Sequence, residues 1–241
     1  MSSDVAKVIT FSRRMEVSMC KNTRKSSIII FTIFLCSVLM FSCERDKSPL
    51  STWDAFYPAS STTLEKKPNI YLYPMDNMKL DVKVVFPTGG KIVESIPEHK
   101  SGWHVQVEKS GLIDGKYRFL YYESKTLDLY QYEKGWIVPQ NSLKNFFEEK
   151  MAQYGFIEPE IKDFVDYWIP LLTTHGFYAI YPQEEDIINK MIRLEFSQNP
   201  DSLFRLFFGI KGTNIPNLEL KEPKIEKFER KGFSVVEWGV I

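Results

Sequence analysis

The chain has 241 residues, 44% of them apolar and 15% aromatic, which suits a folded protein with a substantial core and excludes a disordered one. Its 31 basic and 31 acidic residues cancel, and the segment up to Ser42 takes six of the basic and two of the acidic ones. The remaining 25 basic and 29 acidic residues make a mildly acidic, mixed surface with no field for steering onto phosphate backbones, so no nucleic acid partner is expected.

Residues 24–43 read as a basic end, an apolar run from Ile28 to Phe41, and a cysteine. The run falls within the apolar core of an export signal, about 7 to 15 residues, and short of the roughly 20 needed to span a bilayer. A removed signal is therefore expected over residues 1–42, with an uncleaved anchoring helix as the alternative. Met15 and Met19 are alternative starts, and Arg13 with Arg14 allows a twin-arginine reading. Leu39, Met40, Phe41, Ser42 and Cys43 resemble the lipobox of bacterial lipoproteins, which implies lipidation at Cys43 and a lipid-anchored protein of the bacterial cell envelope. The other cysteines, Cys20 and Cys36, lie inside the signal, so the mature chain would hold no disulfide.

Residues 43–67 are rich in Ser, Thr, Pro and charge, and read as a flexible tether on which Trp53, Phe56 and Tyr57 can still dock. The folded part is expected over 68–241, as one domain or as a β-rich unit 68–139 followed by an α+β unit 140–241. Strands are predicted over Ile70–Tyr73, Leu80–Phe86, Lys91–Ile96, Trp103–Glu108, Lys116–Glu123 and Trp136–Val138, where β-branched and aromatic residues recur between turn signals. Pro87, Thr88, Gly89 and Gly90 suggest one hairpin turn, and Asp114 with Gly115 another.

The period then changes. Leu143, Phe146, Phe147, Met151 and Tyr154 recur at helical spacing between Asn141 or Ser142 as a cap and Gly155 as a stop. Glu158 and Pro159 open a second helix bearing Ile161, Phe164, Val165 and Trp168, with Pro170 limiting it. Strand character returns in 177–182, 191–196 and 203–210, the last two predicted to form a hairpin across Gln198, Asn199, Pro200 and Asp201, while 184–190 reads as strand or as a helical turn or two. Lys224–Lys231 reads as a solvated connector. The expected fold class is α+β, a mainly antiparallel sheet, sandwich-like in its N-terminal part, with two central helices.

Lys67–Pro74 and Phe233–Gly239 resemble the signatures of a family of bacterial envelope proteins of unassigned function. Gly102 with Trp103, the segment from Phe119 to Ser124, and Tyr167–Pro170 fit the same resemblance, which runs over nearly all of the mature part; Val240 after Gly239 departs from it. The resemblance implies an envelope location and no reaction.

No motif for nucleophilic, nucleotide or dinucleotide chemistry occurs, nor any spacing of histidines or cysteines suited to zinc, and no cofactor or metal is expected. His99 and His104 can be weighed as a metal pair, against the plainer reading as strand and surface residues. Whether the chain is an enzyme stays open: a hydrolase of envelope glycan or peptide needs only two carboxylates brought together by the fold, with Glu123, Asp166 and Glu237 as candidates beside aromatics. The reading ranked first is a non-catalytic module binding an envelope glycan or a protein partner. Trp103, Trp136, Trp168 and Trp238 are the candidate ligand-stacking residues, with Tyr121 and Tyr122 beside them, against the reading that they fill the core.

Overall fold

Leu80, Val82 and Val84 are buried and Asp81 and Lys83 between them exposed, so Met78–Val85 forms a strand with one face inward, as its alternation requires. The computed structural model describes residues 61–241; the signal, Cys43 and the tether up to residue 60 lie outside the described residues. In chain order the strands are β1 (Thr62–Tyr73), β2 (Met78–Val85), β3 (Gly90–Ile96), β4 (Trp103–Val107), β5 (Leu120–Leu127) and β6 (Trp136–Pro139). Helices α1 (Leu143–Tyr154) and α2 (Glu158–Trp168) follow, then β7 (Phe177–Glu184), helix α3 (Glu185–Met191), β8 (Arg193–Phe196), β9 (Ser202–Thr213) and β10 (Ser234–Val240). The fold is α+β and mainly antiparallel.

Seven strands form one sheet in the order β3-β5-β1-β10-β9-β7-β6, and β4-β2-β8 form a smaller one. Among the described strands only the β9–β10 pair is parallel. The central strands are buried on both faces. Ile70, Leu72, Phe207 and Val235 pack with the small sheet and with Ile188 and Met191 of α3. Tyr71, Leu206, Phe208, Val236 and Trp238 pack with α1 and α2 on the opposite face. All seven residues of β10 are buried, so the C-terminal segment is a central strand, as its apolar content demands. Burying Trp238 alone is worth about 1.5–3 kcal/mol.

Helix α1 ends at Gly155, whose φ of 103° is left-handed and whose missing side chain leaves room for the Phe228 carbonyl. A Cβ there would come within 2.6 Å of that oxygen. The α1 start differs from expectation: Gln140–Ser142 make a 3-10 turn and Ser142 forms no side-chain cap bond. Pro159 sits in the first turn of α2, and the Glu160 carboxylate accepts from the Ile157 N–H at 3.0 Å. The third helix, α3, lies on the face opposite α1 and α2, so the helices are not all in one central layer.

Four expectations are corrected. Residues 62–67, read as tether, belong to β1, and Glu65 is a buried strand residue paired with Ser124. The division at 139/140 dissolves, since β1 pairs along β10 and both sheets mix strands from the two halves. The turn at Phe86–Gly89 forms, with Gly89 N–H bonded to Phe86 O at 3.1 Å, yet β2 and β3 enter different sheets. Likewise β8 pairs with β2 and β9 with β7 and β10, so residues 198–201 carry the chain between sheets and close no hairpin. A turn signal reports a change of direction and not which edge the next strand finds. Asp114 and Gly115 do make a tight reversal, with φ of 50° and 62° and Ile113 bridged to Tyr117.

Candidate functional site

A cleft of about 600 Å³ opens between three segments far apart in sequence: Tyr130–Lys134 between β5 and β6, Pro182–Ile187 where β7 runs into α3, and Pro223–Glu226 of the connector before β10. Two glutamines fix its wall. Gln183, fully buried at the end of β7, accepts from the Gln131 N–H at 2.8 Å and donates to the Gln131 carbonyl at 2.8 Å. The Gln131 side chain donates to the Pro182 and Lys134 carbonyls and accepts from the Glu133 and Lys134 N–H groups. Loop backbone that would otherwise need water is thus satisfied by side chains, and the loop is held to the sheet. The connector joins through Gly135 N–H to Lys221 O at 2.9 Å and Lys221 N–H to Glu133 O at 3.1 Å.

The cleft is both aromatic and charged. Tyr130 is buried and donates to the Glu65 carboxylate at 3.1 Å behind the wall; half-buried Tyr132 donates to Asp128 at 2.9 Å and carries Lys211 Nζ 3.3 Å from its ring centroid. Burial, with Asp186 and Glu226 nearby, raises the Glu184 carboxyl above its ordinary value, against the pull of Lys134 and Lys224. Glu226 is lowered by its hydrogen bond and ion pair with Lys224 at 2.6 Å. The half-buried Tyr132 ring and charged groups of both signs around a concave opening suit a hydroxyl- or amine-bearing ligand.

A largely buried polar network backs the cleft, between the two sheets. Arg205 Nε donates to Glu237 Oε2 at 2.6 Å, and its Nη1 donates to Asn189 Oδ1 and to the Ile192 carbonyl, both at 2.7 Å. Tyr122 donates to Glu237 Oε1 at 2.8 Å. Glu65 accepts from Ser124, Thr126 and Tyr130 and is raised by burial, which outweighs those three donors. Glu237, one of the carboxylates singled out from the sequence, is therefore held by Arg205 inside the core and faces no opening.

The other sequence candidates separate. Trp238 is 0%, Trp103 2% and Trp168 6% exposed, so these three rings fill the core and offer no stacking face. Apolar strand and helix positions took them, as aromatic residues favour both roles equally. Trp136 is half-buried against Phe146 at 5.4 Å, with Lys150 over its ring, away from the cleft. Tyr121 and Tyr122 are buried as well. Asp166 is an exposed partner of Lys162, and Glu123 lies across from Glu94 at the β3–β5 edge. His99 accepts from the Val84 N–H at 3.2 Å and is lowered by burial, whereas His104 pairs with Asp81 at 2.7 Å. Among the described residues no group of three or more His, Cys, Asp or Glu is placed to hold a metal.

None of the cleft residues stood out in the sequence. The available signal was Gln183, a polar residue closing the apolar strand 177–182 next to a proline, together with Gln131 in a loop of tyrosines. No family model matches the chain, and no curated protein or solved structure matches it.

Proposed function

We propose that the chain is a lipid-anchored protein of the bacterial cell envelope, held to the membrane through Cys43, whose folded domain binds an envelope glycan or a protein partner in the cleft without turning it over. The observation that carries the binding reading is the cleft of about 600 Å³, in the size range of ligand sites, with the half-buried Tyr132 ring and fixed polar groups on a wall locked by Gln131 and Gln183. The anchor rests on the succession of basic residues, apolar run, Ser42 and Cys43. Soluble peptidoglycan fragments should bind the wild-type chain, and Tyr132→Ala should weaken that binding about tenfold, or ~1.4 kcal/mol. Equal affinity of the two proteins would remove the cleft from the account. For the anchor, a fatty-acid analogue fed to cells should label the wild type and not Cys43→Ser; equal labelling would end the lipoprotein reading.

One observation favours a second reading, an envelope hydrolase. Glu184 and Glu226 line the same cleft and their surroundings push them in opposite directions, one raised and one lowered, the relation expected of an acid and base pair. In that case Glu184→Gln abolishes turnover of a glycan or peptide and leaves its binding intact. Absence of turnover in the wild type leaves binding as the function.

A further inference from the structure

Strand β3 is the outer strand of the seven-stranded sheet, and its pairing with β5 sets Lys91 directly across from Lys125. Directly opposed side chains share a face with their Cβ atoms about 5 Å apart, and like charges so placed repel. Both lysines are exposed, Lys125 projecting outward between buried Ser124 and Thr126. Neither forms an ion pair among the described residues. The next charged pair along the two strands, Glu94 opposite Glu123, faces a different cation, since both carboxylates act on the Lys67 ammonium and favour its charged form. Two positive charges without an ion-pair partner therefore stand side by side at the sheet's edge.

The two lysines line a hollow of about 370 Å³ together with the hydroxyl-bearing Thr62 and Thr88 and the turn at Gly89 and Gly90. Apolar residues stand at the same edge: Val93, in the bulge of β3, is 55% exposed, and Leu129, just beyond β5, is 46% exposed. Thr62 begins β1, and the Asp128 N–H donates to the Ser61 carbonyl at 2.8 Å, so the chain coming from Cys43 enters the domain beside this hollow. Eighteen residues lie between Cys43 and Thr62. A flexible linker of that length averages roughly 25 Å end to end.

We propose that Lys91 and Lys125 are a second membrane contact, gripping the phosphate of an anionic lipid headgroup beside the covalent anchor. Lipidation of Cys43, on which this contact rests, brings that edge of the sheet to the bilayer surface. A phosphate seated between the two ammonium groups turns their mutual repulsion into two attractions, each a charge-assisted hydrogen bond. A lysine near an anionic bilayer strengthens association on the order of fivefold. The exposed Val93 and Leu129 favour a lipid over a free phosphate ester as the source of that group, since a soluble ligand would leave both in water. The hollow shares no lining residue with the cleft, so the two sites do not compete.

The full chain is reconstituted in vesicles of phosphatidylcholine, alone or mixed with phosphatidylglycerol, and its exposed lysines are acetylated with a water-soluble reagent and mapped by mass spectrometry. Acetylation of Lys91 and Lys125 should fall about fivefold in the anionic vesicles at low salt and recover at high salt. Lys227, in the connector beside α1, should react alike in both. Lys91→Glu, a change at an exposed position, sets a carboxylate across from Lys125; it should keep the melting temperature and remove the lipid dependence at Lys125. The mass of the N-terminal peptide in the same digest shows whether Cys43 carries lipid, so failure of the anchor is seen apart from failure of the contact; an unlipidated Cys43 would remove both. With Cys43 lipidated, equal acetylation of the two lysines in both kinds of vesicle would overturn the proposal, as would an unchanged lipid dependence in Lys91→Glu. Equal protection by soluble glycerol phosphate over phosphatidylcholine would make the ligand a free phosphate ester and would overturn the membrane contact.

Discussion

The two faces of the seven-stranded sheet bury different chemistry. The face towards α1 and α2 is closed by rings, with Phe147, Phe164, Phe208 and Trp238 in mutual contact at centroid distances of 4.7 to 5.6 Å. The face towards the small sheet also has an apolar core, but within it lie Arg205, Glu237, Tyr122 and Glu65. Ring packing is tolerant of small shifts and non-directional, whereas a buried ion pair with its hydrogen bonds admits one arrangement. The polar face is also the one that reaches the cleft, since Tyr130 belongs to its core, lines the cleft and donates to Glu65. The fully buried ion pair lies on the side where a ligand wall has to be held in place, whereas the carboxylate buried on the helical side, Glu160, pairs with a partly exposed Arg230.

The largest effect should come from splitting the ion pair. Arg205→Met leaves Glu237 buried without its cation and should destabilise the domain by about 3–5 kcal/mol, a large part of the ~5–15 kcal/mol typical of a domain. Replacing Glu237 as well, as Arg205→Met with Glu237→Leu, should recover much of that loss, because the uncompensated charge is gone. Urea unfolding of the two variants reads the difference. A double variant as unstable as the single one would mean that the network's shape, and not its charge, is what the polar face requires.

On the ring face, Phe164→Leu should cost about 1–2 kcal/mol, below the 3–5 kcal/mol of full truncation, since neighbouring rings can close part of the gap. A loss in urea unfolding as large as that of Arg205→Met would erase the contrast between the faces.

Much of this architecture was legible in the sequence, and the reasons are local. Helix α1 announced itself by Leu143, Phe147, Met151 and Tyr154 at helical spacing before a glycine, α2 by Pro159, and β10 by valines and a tryptophan too apolar for an exposed end. The small sheet was not legible, because β2 takes β8, more than a hundred residues further along, as one of its partners, and no local pattern encodes that choice. The cleft was hidden for the same reason: Tyr132, Glu184 and Glu226 are ordinary residues until the chain brings them together. The tryptophans were legible as important and illegible as to role, since a ring that fills a core and one that stacks on a ligand look alike in sequence.

The smallest effect concerns Glu65, which accepts three hydroxyl donors and has no cation among its hydrogen-bond partners. Its pKa is raised on folding, so its protonated form is favoured in the native state. Its contribution is fully present below the ordinary carboxyl value of 4.5 and is lost as pH rises through the folded value. Glu65→Gln, neutral at every pH, should therefore flatten the decline in stability above that point. Parallel stability curves for the two proteins would contradict the assignment.

The central claim is that ligand enters the cleft walled by Tyr130–Lys134, and amide NMR during titration of the chain with soluble peptidoglycan fragments tests it most directly. The account predicts saturable shifts at Gln131, Tyr132, Glu184 and Lys224, greatly reduced in Tyr132→Ala. Shifts clustered elsewhere on the domain, or identical shifts in that variant, would contradict it.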